Sequence, residues 1–198
     1  MRVRVAAACL LAAVTASANP SAARLKAAEV RVRTLAASAS VPFPLRQVEL
    51  KVYKEAHRLE LWASGRLVQA YPIGLGADPG LDKAREGDHR TPEGQLYICT
   101  RNEISRFHLF LGLSYPRPED AARGLRERLI TQAQHDAILD AHRRRARPPW
   151  DTALGGTVGI HGHGAGSDWT WGCVALEDAA IEELWAACPM GTPVLVAR

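Results

Sequence analysis

Between Gln47 and Ile73 the chain repeats with a period of two, and this restricts what it can fold into more than any other feature. Val48, Leu50 and Val52 alternate with Glu49, Lys51 and Tyr53, giving an extended segment one apolar and one polar face. Residues 58–63 and 66–73 are extended on either side of Ser64-Gly65, a two-residue connection suited to a tight hairpin. A chain patterned this way has to build antiparallel sheet around a core. Its 198 residues are enough for one domain with a real interior.

Turn formers then cluster at Pro79-Gly80, Gly87-Asp88 and Thr91-Pro92-Glu93-Gly94, which marks a long loop. Strands are expected again at 95–100, 107–113, 157–161 and 193–197. After Pro116 the spacing changes. Leu125, Leu129 and Ile130 follow Glu119 and Asp120 at helical intervals, and 136–145 reads as a second helix. The segment 117–147 is therefore expected as a helical insertion. A last helix is expected at 177–187, with Ile181, Leu184 and Trp185 inward and Pro189 and Gly191 ending it. The class is mainly β, mostly antiparallel, with a few helices.

The N-terminus reads as an export signal. Arg2 and Arg4 precede an apolar run over residues 5–14, followed by Ala16-Ser17-Ala18, a small-residue cleavage pattern. The expectation is a signal peptide over 1–18 and a periplasmic location, with no integral membrane segment after cleavage, since the run is too short to span a bilayer. Residues 19–45, rich in Ala and Ser, are expected as a linker with a short helix near 22–32, leading into a domain over 46–198. Cleavage would leave Cys99, Cys173 and Cys188, an odd number for an oxidising compartment. A Cys99–Cys188 bridge and two buried thiols are both open readings, and Cys173 is free in either. The formal charge of +4 is concentrated in Arg143, Arg144, Arg145 and Arg147 with no interleaved aromatics, so no nucleic-acid partner is expected.

The chemistry concentrates in residues 159–176, where His161 closes a strand, a glycine-rich loop follows, and Cys173 comes directly after Gly172. A free thiol, with a pKa of about 8.5, is mostly protonated at neutral pH, so nucleophilic work requires a base, and imidazole is the side chain best suited to it. Gly172 allows a tight turn, and peptide N–H groups around Gly172 and Cys173 are candidate donors to a developing oxyanion. His161, His163 and Cys173 are ligand types that zinc accepts, but neither a C-x-x-C nor an H-E-x-x-H spacing accompanies them. No metal and no cofactor are expected.

The sequence Ile160-His161-Gly162, followed by Gly172-Cys173-Val174, resembles the catalytic motif of the L,D-transpeptidase (YkuD-type) family. Three upstream stretches also resemble the family, particularly its murein peptide-handling branch: the hairpin within 59–76, "EGDHRTPEG" at 86–94 and "SRFHLFLGLSYP" at 105–116. The resemblance covers residues 46–197. It implies a β-sandwich or partly closed barrel, and an enzyme in which Cys173 is the nucleophile, His161 the general base and Gly172 part of the oxyanion hole. It further implies peptidoglycan stem peptides as substrate. The thiol attacks the carbonyl after the third residue of a stem tetrapeptide, terminal D-Ala leaves, and an amine resolves the thioester. Water as acceptor would make the chain a peptidase, and a non-catalytic wall-binding module is the reading from another class. The chain has Trp171 two residues before the cysteine where the family often has His, and Ala175 two residues after it where Arg or Asn is usual. The resemblance makes His163, Asp168, Trp171, His108 and Tyr115 candidates for substrate contacts.

Overall fold

The computed structural model describes residues 20–198; the expected signal peptide at 1–18 lies outside the described residues. The chain opens with helix α1 (Pro20–Ser38), then β1 (Val48–Tyr53), β2 (Arg58–Ala63) and β3 (Arg66–Pro72). The long loop leads into β4 (Gly94–Ser105) and β5 (His108–Leu113). Helices α2 (Pro118–Arg126) and α3 (Gln132–Arg143) form the insertion. Strands β6 (Gly159–His161) and β7 (Val174–Ala175), helix α4 (Asp178–Ala187) and β8 (Pro193–Ala197) complete the chain.

The strands form one sheet in the order β3-β2-β1-β8-β4-β5-β6-β7. Pairings are antiparallel except β1 with β8 and β6 with β7. The two edges of this sheet meet. Gly74, just beyond β3, bridges Ala175 of β7, each N–H reaching the other's carbonyl at 3.0 and 2.8 Å. The result is the expected partly closed barrel, and its seam runs beside the cysteine. A Cβ on Gly74 would stand 2.2 Å from the Ser167 carbonyl oxygen, so the seam closes only around a residue without one. Alternate residues such as Leu50, Val52, Leu59, Leu61, Val194 and Val196 fill the interior.

Helix α1 is longer than the short helix expected within a linker, and it is packed. Ala28, Val32 and Ala36, spaced by four, are fully buried and form one stripe. Arg31 beside that stripe reaches Glu183 at 2.8 Å and Glu182 at 3.0 Å on α4. Both carboxylates are buried on a helix face expected to be apolar, and they are satisfied further by Tyr71 Oη and His108 Nε2. The insertion has its own small core of Ala121, Ile130, Ile138 and Leu154. Its second helix starts at Gln132, four residues before the expected 136. Thr131 caps it reciprocally with Gln134, a capping box that apolar spacing alone does not reveal. Strand β4 runs five residues past the expected 100, because β5 pairs with its polar end. None of the described helices is long and apolar enough to cross a membrane. Cys99 and Cys188 are buried free thiols.

Candidate active site

Strand register brings the two key side chains together. β6 and β7 run parallel with Ile160 beside Val174 and His161 beside Ala175. One step back along both strands, Cys173 falls beside Gly159. Since side chains alternate between faces, Cys173 and His161 emerge on the same face of neighbouring strands. Both line one cavity of about 340 Å³, together with Thr157, Trp169, Trp171 and Lys83.

The turn holding the cysteine is tightly constrained. Gly172 has φ +126°, and a Cβ there would lie 2.6 Å from the Arg90 carbonyl oxygen, so this position excludes other residues. Its N–H donates to Thr170 Oγ1 at 3.1 Å, and that hydroxyl donates to the Cys173 carbonyl at 2.8 Å. Gly172 therefore enters the site through backbone shape, and its N–H is already committed. Thr170 is in turn stitched to the segment beyond β3: its N–H donates to Leu75 O, and its carbonyl accepts from Ala77 N. The barrel seam is what fixes the cysteine turn.

His161 is buried and held in one tautomer. Its Nδ1 lies 2.7 Å from the Gly162 carbonyl, which can only accept, so the proton is on Nδ1 and Nε2 keeps the basic lone pair. Phe107 stacks on the ring at 4.7 Å between centroids, and Trp169 meets it edge-on at 5.5 Å. Burial lowers its pKa from the usual 6.5, the Gly162 carbonyl opposes that, and nearby His163 adds to it. Imidazole is thereby kept neutral and able to accept a proton.

Cys173 is half-buried, lining the cavity but enclosed by protein on most sides. Its Sγ lies 3.7 Å from the Thr157 carbonyl. Burial pushes the thiol up to about 11, while the Gly159 backbone N–H and the charge of Lys83 pull it down. The resting pair is thus neutral thiol and neutral imidazole, with ionisation left to the moment of attack.

The remaining expected residues divide. Trp171 lines the cavity, 77% exposed and stacked on His89 with centroids 5.7 Å apart. His163 lines a shallower neighbouring depression that shares Phe107 and Trp169 with the cavity. Asp168 instead braces the loop, accepting from Leu75 N at 2.8 Å and meeting His57 Nε2 at 3.0 Å. His108 turns to α4, its Nε2 3.0 Å from Glu182 Oε1. Tyr115 is fully buried, and its hydroxyl donates to Leu154 O at 3.1 Å. These last three are outside the cavity lining, and each is bonded to the frame around it. Lys83, Glu86, Arg106 and Thr157 line the cavity without having been singled out individually in the sequence, whereas Phe107, which packs on His161, belongs to the 105–116 stretch. A lone lysine in a turn-rich loop carries no signal of burial.

A family model described as the L,D-transpeptidase catalytic domain (YkuD) matches residues 47–196. Among solved structures, Bd1075 of Bdellovibrio bacteriovorus is 19% identical, with TM-score 0.50 over 79% of this chain and 49% of that one. The helical cell shape determining protein Pgp2 of Campylobacter jejuni is 16% identical, with TM-score 0.53 over 86% of this chain and 56% of that one. An L,D-transpeptidase of Xylanimonas cellulosilytica is 18% identical, with TM-score 0.44 over 79% and 63%. The chain thus spans about half to just under two thirds of the length of these proteins, and the likeness is one of fold. A comparison with curated proteins finds no match.

Proposed function

Since the chain belongs to the L,D-transpeptidase catalytic-domain (YkuD) family, we propose that it is a periplasmic cysteine acyltransferase acting on peptidoglycan stem peptides. One observation carries this reading: a reachable cysteine and a tautomerically fixed histidine line the same cavity, on the same face of adjacent strands. Nε2 of His161 takes the thiol proton as sulfur attacks the carbonyl after the third residue of a stem tetrapeptide. The tetrahedral oxygen carries the negative charge, and the Cys173 N–H is the main-chain donor proposed to meet it. Collapse breaks the C–N bond, the imidazolium returns its proton to the departing D-Ala amine, and a thioester remains. An amine from a second stem then attacks the thioester and passes its proton to His161; the C–S bond breaks, the imidazolium returns that proton to the departing Cys173 sulfur, and a new amide remains. The depression beyond Phe107 and Trp169 offers that second reactant an approach separate from the first.

Incubating the protein with isolated sacculi, digesting the glycan and weighing the muropeptides tests this directly. New cross-linked dimers made at the expense of tetrapeptides are expected. Shortened monomers without dimers would move the reading to hydrolysis, and an unchanged profile would remove the enzymatic reading.

A further inference from the structure

We propose that Lys83 is a positioning residue of this site, its ammonium holding the negative charge of Cys173 during attack. The proposal rests on Cys173 being the nucleophile. Lys83 comes from the loop between β3 and β4, far from the cysteine in sequence, yet its side chain is 2% exposed and lines the same cavity. A Cβ built on Gly172, the cysteine's own neighbour, would stand 3.8 Å from Lys83 Nζ. A buried ammonium requires partners, and two are in place: Asp88 Oδ1 at 2.7 Å and the Arg85 carbonyl at 3.1 Å. An ammonium has three N–H donors; two are hydrogen-bonded here, and the group, 5.9 Å from the Tyr115 ring centroid, also borders the cavity.

Lys83 lines the cavity and Asp88 does not, so the ammonium is the member of the pair presented to the sulfur. The Asp88 Oδ2 accepts from Ala84 N and Arg85 N, and its Oδ1 also accepts from Arg90 N, bonds that with Lys83 hold the carboxyl ionised. The other charged or titratable groups around the cavity are Glu86 from the same loop, Arg106 from the β4–β5 turn and His161 at the end of β6. After the Gly159 N–H, the Lys83 charge is what draws the thiol down against its burial. The commitment of the Gly172 N–H to Thr170 gives the site further need of a positive group. A thiol raised by burial, with its base kept neutral by aromatic rings, would otherwise ionise into an environment with little to receive the charge.

The rate of iodoacetamide alkylation at Cys173, followed against pH and assigned by peptide mass, reads this without any cell-wall substrate. Lys83→Met and Lys83→Gln are expected to raise the midpoint by about one pH unit, slowing alkylation about tenfold below it. Lys83→Arg, which keeps the charge, is expected to hold the wild-type midpoint. An unchanged midpoint in either folded neutral variant, or an equal rise in Lys83→Arg, overturns the proposal. Should neither neutral variant fold, Asp88→Asn must lower the midpoint, and no downward shift overturns it equally. The muropeptide assay on unaltered protein is independent of this outcome, so failure of the Lys83 proposal and failure of the transpeptidase reading remain distinguishable.

Discussion

Phe107 and Trp169 set the protonation state of His161 by keeping water from its ring. Desolvation disfavours the charged imidazolium, so the base stays neutral below the usual histidine midpoint. The acid limb of the activity profile is therefore expected below pH 6.5. Phe107→Ala admits water and should move that limb upward, toward the ordinary value; an unmoved limb in kcat/KM against pH would separate Phe107 from this role. The pair proposed as nucleophile and base was legible at this scale, because a histidine ending a strand and a Gly-Cys pair shortly after it are local patterns. Lys83 was not. Its burial depends on Asp88 and on the fold of a turn-rich loop, and nothing in the neighbouring residues distinguishes it from a solvated lysine.

Helix α1 carries a different kind of information, since its stability depends on a partner distant in sequence. Ala28, Val32 and Ala36 are small and weakly apolar, so the segment has little signal of its own and resembles a linker. What holds it is the matching face of α4, where Glu182 and Glu183 would be two buried carboxylates without Arg31. Arg31→Met is expected to destabilise the protein by about 1–2 kcal/mol, because the arginine is itself partly exposed and water can recover some of the loss. Chemical denaturation measures it; a change within experimental scatter would mean that α1 is held by packing alone. Elements with strong local patterns, the β1–β3 strands and their hairpin, match their expected bounds to within a residue. The two-residue β7 carries no periodicity and exists only because β6 and Gly74 flank it.

Over the whole molecule, burial of thiols ties stability to alkaline pH. Cys99 and Cys188 are each pushed up to about 12 by burial, and Cys173 to about 11. Folded pKa values above the unfolded value of 9.0 mean that this stability is fully present below that pH and is lost as pH rises toward 12. Tm should fall by several degrees between about pH 8 and about pH 11; a flat Tm over that interval would show the thiols reaching water in the folded state. At the same scale, closure of the sheet by Gly74 and Ala175 is what turns two strand ends and a loop into one cavity. The most direct measurement of that cavity's chemistry is intact mass spectrometry of the protein quenched in acid during reaction with a stem tetrapeptide. An added tripeptidyl mass is expected, with D-Ala released, that maps to Cys173 and is absent from Cys173→Ala. Turnover that persists in Cys173→Ala, or an acyl group mapped to any other residue, would contradict it.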